Sequence, residues 1–175
     1  DLKLMPNGDL LWPAGASLSN VFYHSNDDGQ NWNTITAPGT FPAVYIAPTG
    51  TLLTPGSAGN AGVYRSTDNG LTWQLIVVQN LYSLNSFATT PSGRILGRSN
   101  NKNQLYYSDD DGLSWTVEAS DREISQLLEV TAPDGSVFGY SNGALYKSTD
   151  QGLNWAFAAD GIDLATTIQM AFFSA

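Results

Sequence analysis

A ten-residue pattern, Tyr-x-Ser-x-Asp-x-Gly-x-x-Trp, occurs four times in this 175-residue chain. Its serine recurs at steps of 41, 42 and 40 residues, at Ser25, Ser66, Ser108 and Ser148. A second pattern, Pro-x-Gly, precedes each copy and begins at Pro6, Pro48, Pro91 and Pro133. Two patterns that recur together four times indicate that the chain is built from four copies of one structural unit.

Each unit is predicted to form four short strands. The first strand is apolar and ends at Pro-x-Gly, as in Val44–Ala47, and the second follows at once, as in Leu52–Leu53. Proline presets φ and glycine accepts a positive φ, so Pro-x-Gly makes a tight turn. The third strand ends at the Tyr-x-Ser, and the fourth begins at the tryptophan. Four strands in about 42 residues match one blade of a β-propeller, and blades pack against each other because one blade cannot bury both of its faces alone.

The predicted fold class is therefore all-β, a single-domain β-propeller with four blades of four antiparallel strands. The blades fall at about 1–40, 41–82, 83–124 and 125–165. Residues 166–175 align with the earlier first strands and predict the start of a fifth blade. Two interpretations stay open: the chain is part of a larger propeller, or it is a subunit that completes its ring with another copy as a homo-oligomer. We favour the first.

One segment allows a competing prediction of secondary structure. Ile124, Leu127 and Leu128 have the spacing of one face of a helix. The register of the repeat instead places residues 128–131 in the first strand of the fourth blade, and we adopt the strand.

The longer pattern resembles the Asp box, or BNR repeat, of sialidases, several other glycosidases and sortilin-type receptors, and the resemblance covers all four repeats. It implies that the motif forms the hairpin between the third and fourth strands of a blade, away from the ligand-binding face. The residues agree, because Asp and Ser side chains can bond turn amides and Trp can pack beneath the hairpin. We predict a structural role for the sixteen motif residues, which are Ser25, Asp27, Gly29, Trp32, Ser66, Asp68, Gly70, Trp73, Ser108, Asp110, Gly112, Trp115, Ser148, Asp150, Gly152 and Trp155.

The composition excludes several classes of partner. A net charge of −9 with only seven Lys and Arg residues cannot supply the basic face that nucleic acids or anionic membranes require. No apolar run approaches the ~18 residues of a membrane-spanning helix, so we predict no membrane insertion. The chain has no cysteine and one histidine, and we predict no metal and no cofactor. Its many polar residues and few lysines favour a secreted or cell-surface protein of a bacterium.

The resemblance to sialidases makes a demand that the chain does not meet. It implies three arginines that hold the substrate carboxylate, a Tyr–Glu pair and a separate acidic Asp. Of the four arginines, Arg65 lies inside an Asp-box hairpin and Arg94 follows a Pro-x-Gly turn, so neither is expected to reach a shared pocket with Arg98 and Arg122. We predict no catalytic residue in the chain as it stands.

The candidate ligand-binding residues come from the segments that join one blade to the next. Asp121-Arg122-Glu123 and the acidic pair Asp160 and Asp163 occupy equivalent connections and could face one cleft, although solvated acidic loops are the simpler interpretation. Tyr82 joins them as an aromatic residue that does not recur in the repeat, a type that suits sugar or peptide binding.

Three further residues are not counted among these candidates. Trp12 and Phe41 are also non-repeating aromatics, for which peripheral packing is the simpler interpretation. His24 takes the x of Tyr-x-Ser, where the other repeats hold Arg65, Tyr107 and Lys147, so we predict a variable, exposed position.

The sequence favours a non-catalytic recognition module, secreted or on the cell surface, that binds a glycan or a protein ligand. The alternative is part of a propeller glycoside hydrolase, sialidase-like or glucanase-like, whose remaining blades complete the catalytic set. A pair of carboxylates about 5–10 Å apart across one cleft would favour the enzyme, and a structural spacer is the third possibility.

Overall fold

The computed structural model describes residues 2–13, 20–38, 44–56, 61–78, 81, 84–99 and 104–160. Within them the chain forms sixteen β-strands and no helix, so the predicted all-β class is confirmed. The predicted start of a fifth blade, together with Phe41, Tyr82 and Asp163, lies outside the described residues. Of Asp160 the structure describes only the main chain.

The strands form four sheets of four strands, each in sequence order across the sheet. The first sheet contains β1 (Lys3–Leu4), β2 (Leu10–Pro13), β3 (Val21–Ser25) and β4 (Asn33–Thr36). The second contains β5 (Tyr45–Ile46), β6 (Leu52–Pro55), β7 (Val63–Ser66) and β8 (Gln74–Ile76). The third contains β9 (Leu84–Thr89), β10 (Ile95–Ser99), β11 (Leu105–Ser108) and β12 (Thr116–Val117). The fourth contains β13 (Gln126–Thr131), β14 (Val137–Ser141), β15 (Ala144–Ser148) and β16 (Ala156–Asp160).

The two repeated patterns make the turns of each sheet. Pro-x-Gly joins the first two strands, where Gly50 has φ +90° and its amide donates to the carbonyl of Ala47 at 2.8 Å. The motif serine then pairs with the same position of the second strand in every sheet, as Leu52 pairs with Ser66. The second-strand partner of the serine lies four residues after the proline in every sheet, so the two turns set this register while the segment between the second and third strands varies in length. The helical alternative for residues 121–130 is wrong, because β13 continues the register as a strand.

The core lies between the sheets rather than within them. One cluster of buried apolar side chains joins the first and second sheets, a second joins the second and third, and a third joins the third and fourth. The tryptophan of the repeated pattern packs in the cluster between its own sheet and the preceding sheet, as seen for Trp73, Trp115 and Trp155. Burying large apolar side chains contributes roughly 1.5–3 kcal/mol each, so neighbouring sheets stabilise one another.

The first strands of the four sheets meet around one hollow of about 410 Å³. Leu4, Ile46, Thr89 and Thr131 line it, one from each first strand. Across it, Lys3 of β1 forms an ion pair with Glu129 of β13. The first strands are therefore innermost, and the Asp-box hairpins join the two outer strands of each sheet.

Candidate functional site

The Asp-box hairpin uses its polar side chains to satisfy its own turn. Ser66 Oγ donates to Asp68 Oδ1 at 2.8 Å and accepts from the amide of Gly70 at 2.9 Å. Asp68 Oδ1 also accepts from the amide of Thr72 at 2.9 Å, and Trp73 Nε1 donates to the carbonyl of Gly70 at 2.9 Å. The other three hairpins repeat this set of bonds. The motif residues are thus occupied within the hairpin.

These bonds shift the acidity of the motif aspartates. The main-chain amides of Asn31 and Asn154 donate to Asp27 and Asp150, and together with the side-chain bonds they lower the pKa of both carboxyl groups. A carboxylate that accepts several hydrogen bonds is held in its charged form. Such a group serves as a hydrogen-bond acceptor and is a poor proton donor.

The residue before the motif glycine connects its sheet to the preceding sheet in the chain. Asn69 adopts φ +57° and donates to Asp9 of the first sheet at 3.0 Å. Gln151 adopts φ +65° and accepts from Ser92 of the third sheet at 3.3 Å. Both partners belong to a Pro-x-Gly turn or follow it directly, so the Asp-box hairpin of one sheet rests on the first turn of the preceding sheet.

Asp111 makes the same connection between the second and third sheets with more bonds. Thr49 Oγ1 donates to its Oδ1 at 2.6 Å, and Thr51 donates to its other carboxylate oxygen. Arg65 donates to both its carbonyl and its carboxylate at 2.7 Å. Asp111 is therefore part of the interface between the second and third sheets.

The prediction that His24 occupies an exposed position is wrong. Its side chain is 13 % exposed, and Nε2 lies 2.8 Å from Asp9 Oδ2. The equivalent Arg65 and Lys147 also pair with carboxylates, of Asp111 and Asp134. The residue between Tyr and Ser of the motif differs among the repeats, and the carboxylate that it pairs with comes from a different place in each sheet. The repeat pattern alone does not show these pairs.

Three of the six candidate ligand residues lie together. Asp121, Arg122 and Glu123 line a hollow of about 400 Å³ in the segment that connects β12 to β13. Gln104 and Val117 of the third sheet are also in the lining. We call this hollow the connection groove.

Asp121 fastens the connection to the fourth sheet. Its Oδ1 accepts from the amide of Trp155 at 3.1 Å, and its own amide donates to the carbonyl of Leu153 at 2.9 Å. Glu118 is similarly engaged: it is 7 % exposed and accepts from Arg94 at 3.2 Å. These two carboxylates hold the walls of the groove.

Unlike Asp121 and Glu118, the side chains of Arg122 and Glu123 form no hydrogen bond or ion pair with the described residues. The Arg122 guanidinium lies over the ring of Tyr146, 4.5 Å from its centroid, and has no ion pair or side-chain hydrogen bond with the described residues. Glu123 is exposed and likewise has no such partner in the described part of the chain. The groove therefore presents one cation and one anion to solvent.

Two exposed apolar side chains that were not predicted lie in the groove or next to Tyr146. Phe157 packs edge-on against Tyr146 at 6.2 Å and is 60 % exposed, and Val117 is also exposed. Both follow a motif tryptophan by two residues, and an apolar residue at this outer-strand position was the signal that could have identified them. Of the remaining candidates, Asp160 pairs with Ala144 through its main chain.

In the described ranges, no group of three or more His, Asp or Glu side chains is placed to hold a metal ion. Those ranges likewise contain no helix long and apolar enough to cross a membrane.

The comparisons with known proteins agree with this architecture. The family described as BNR/Asp-box repeat matches residues 64–75, which is the second hairpin. No curated protein matches the chain.

Solved structures resemble the chain at low sequence identity. A GH74 enzyme from Niastella koreensis is 24 % identical with a TM-score of 0.67, over 89 % of this chain and 23 % of that one. Virginiamycin B lyase from Staphylococcus aureus is 18 % identical with a TM-score of 0.66, over 89 % of this chain and 53 % of that one. An auxiliary nutrient binding protein from Bacteroides ovatus is 17 % identical with a TM-score of 0.66, over 92 % of this chain and 42 % of that one. The chain thus spans between about a quarter and about half of the length of these structures, and the likeness concerns the fold, a β-propeller.

Proposed function

We propose that this Asp-box repeat β-propeller is a recognition module, secreted or displayed on the surface of a bacterium, that binds a glycan in the connection groove. The observation that carries the proposal is that the Arg122 guanidinium, held over Tyr146, and the exposed carboxylate of Glu123 belong to the same groove. A guanidinium only donates hydrogen bonds and a carboxylate only accepts them, so the pair can bind neighbouring hydroxyl groups of one sugar from both sides.

The apolar surface of the groove favours a glycan, rather than a small ion, as its ligand. Ligand sites combine apolar and aromatic surface with a few placed polar groups. The side chain of Val117 supplies apolar surface in the groove, and the ring of Tyr146 under Arg122 supplies aromatic surface next to it. A protein segment could use the same surface, and it is the second class of ligand that the proposal admits.

The engaged carboxylates favour binding over hydrolysis. A glycosidase requires a carboxylic acid that can protonate the leaving oxygen, together with a second carboxylate across the cleft. Asp121 is bonded to the Trp155 amide and Glu118 to Arg94, so these two groups stabilise the groove.

The test is a binding titration of the purified chain against a panel of bacterial and plant oligosaccharides. We expect one class to bind, and we expect Arg122→Ala and Glu123→Gln each to weaken binding about 10-fold or more, the size of one or two lost charged hydrogen bonds. Asp28→Asn is the matched control, because Asp28 is also exposed and unpaired among the described residues but lies on the first sheet. Equal effects of the three variants, or no binding of any saccharide, would exclude the groove as a glycan site.

The similarity to a GH74 enzyme favours one alternative, a part of a propeller glycoside hydrolase. If this alternative holds, the chain or a longer form of it should release reducing ends from a polysaccharide. The Glu123→Gln variant should then no longer release them. Binding without release supports the recognition module.

A further inference from the structure

Three Asn-Gly sequences in this chain share one chemical reaction. They are Asn7-Gly8, Asn69-Gly70 and Asn142-Gly143. Asparagine is thermolabile, because the main-chain nitrogen that follows it can attack its side-chain amide carbon, Cγ. A glycine in the second position leaves that nitrogen unhindered, since glycine has no Cβ. The structure distinguishes the three pairs, because the attack needs a free main-chain amide and room for the peptide unit to rotate.

The second pair is held inside an Asp-box hairpin. The amide of Gly70 donates to Ser66 Oγ at 2.9 Å, and Asn69 Nδ2 donates to Asp9 Oδ2 at 3.0 Å. Gly70 is buried, and a Cβ there would lie 2.9 Å from Ile35. Rotation of this peptide unit would break both hydrogen bonds within the interface of the first and second sheets, so the pair is protected.

The first pair is exposed, but its peptide unit is bonded. The amide of Gly8 donates to the carbonyl of Met5 at 2.9 Å, and Asn7 Oδ1 accepts from the amide of Asp9 at 3.1 Å. The attacking nitrogen and the side chain under attack are therefore both held in the Pro-x-Gly turn. Two hydrogen bonds must break before this pair can react.

The third pair has neither kind of protection. Asn142 and Gly143 form the two-residue loop between β14 and β15, where both are exposed and have φ of +49° and +79°. Among the described residues, neither the Gly143 amide nor the Asn142 side chain forms a hydrogen bond. A Cβ at Gly143 would meet no heavy atom within 4 Å. The loop follows the last pair of the ladder, Ser141 with Ala144, and such a tip opens at little cost in free energy.

We infer that Asn142 is the site at which the folded chain deamidates. The Gly143 nitrogen forms a bond to Asn142 Cγ and gives up its proton, while the Cγ–Nδ2 bond breaks and ammonia leaves. Water then opens the resulting succinimide ring at either carbonyl, which gives aspartate or isoaspartate at position 142. The net reaction consumes water and releases ammonia, so it requires no oxidant and no other reactant.

The product changes the charge and the backbone of this hairpin. Each conversion adds one negative charge to a chain whose net charge is −9. In isoaspartate the main chain runs through the side-chain methylene and is longer, so it no longer fits a two-residue loop whose positive φ angles match the twist of the strands. The hydroxyl of the adjacent Ser141 lies 3.2 Å from that of Ser125, in the segment that connects the third and fourth sheets. The modification therefore loosens the end of the hairpin that contacts this connection.

The test is incubation of the folded chain at mildly alkaline pH, followed by digestion and mass spectrometry of the peptides that contain each pair. The gain in mass when an amide becomes an acid reports deamidation, and chromatography separates isoaspartate from aspartate. We expect Asn142 to react about 10-fold faster than Asn7, the size of one or two hydrogen bonds, and Asn69 to react more slowly still. In concentrated urea, where the chain is unfolded, the three rates should become similar. Equal rates at Asn142 and Asn7 in the folded chain, or the same order of rates in urea, would overturn the inference.

A matched pair of variants tests whether the hydrogen bond to the glycine amide controls the reaction. Ser66→Ala frees the Gly70 amide and should raise the rate at Asn69 about 5-fold or more. Ser148→Ala removes the same bond from the fourth hairpin, which has no asparagine before its glycine, and should leave the rate at Asn69 unchanged. The rate at Asn7 in both variants reports any general opening of the fold. A rate at Asn69 that ignores Ser66→Ala, or that both variants raise alike, would overturn the argument from the free amide.

Discussion

Gly139 offers the sharpest test of how the sheets pack. It lies in the second strand of the fourth sheet, and a Cβ there would be 2.6 Å from Ile124 Cγ2 and 3.0 Å from the Trp155 ring. Ile124 is fully buried, so it cannot turn away. Overpacking of this kind costs about 1–3 kcal/mol. Without a clash, Gly→Ala would instead stabilise by about 0.4–1 kcal/mol through the unfolded chain. We expect Gly139→Ala to lower the free energy of unfolding by about 1–2 kcal/mol.

The assay is urea unfolding followed by tryptophan fluorescence, compared at constant m-value. Ile124→Ala serves as the second variant: alone it should cost about 2–5 kcal/mol, because it leaves a cavity. In the Ile124→Ala background the Cβ at position 139 meets no Cγ2, so Gly139→Ala should become neutral or stabilising. A single Gly139→Ala variant more stable than the parent, or two effects that add within about 0.5 kcal/mol, would refute the packing argument.

Other substitutions and pH test the hairpins and the interfaces. Ser66→Ala should cost about 1–3 kcal/mol in the same assay, because the buried amide of Gly70 loses its acceptor; a loss below about 0.5 kcal/mol would contradict this. Hydrogen bonds led by the Asn154 amide lower the pKa of Asp150 below 3.8. The stabilisation from Asp150 is complete above that value and is lost as the pH falls through the folded pKa. The melting temperature should therefore fall below a pH of about 4, and an Asp150→Asn variant should lose less over the same range. Arg65→Met removes two charged hydrogen bonds to the third sheet and should cost about 1.5–3 kcal/mol; an unchanged unfolding midpoint would show that the pair is not formed.

The architecture could be predicted because local chemistry determines it. Pro-x-Gly and the Asp box each satisfy their own turn with their own residues, as Ser66 and Asp68 do, so their position in the chain locates two of the three turns of a sheet. The residue that pairs with the motif serine lies four positions after the proline in every sheet, so the two turns set the register of the second and third strands although the interval between the patterns varies. Neither step depends on contacts between distant parts of the chain.

The candidate site was harder to predict because its residues act across sheets. The sequence identified Asp121 as a candidate ligand residue, but its carboxylate bonds the amide of Trp155, 34 residues later. His24 looked exposed by comparison with Arg65 and Lys147, whereas each of these side chains pairs with a carboxylate. The carboxylate that each variable residue pairs with depends on which turn lies next to it in the folded structure. A pattern built from the residues common to all repeats does not contain that information.

The constant and variable positions of the repeat therefore have different tasks. The constant residues close each hairpin in the same way, so they cannot distinguish one sheet from another. The residue before the motif glycine is Asp28, Asn69, Asp111 or Gln151, and in the last three it bonds a different partner in the preceding sheet. The hydrogen bonds between neighbouring sheets therefore differ from one interface to the next, because they are made by residues that the pattern leaves open. The connection groove follows the same rule: the segment between β12 and β13 is fastened by Asp121 to the constant hairpin, which leaves its neighbours Arg122 and Glu123 available for a ligand.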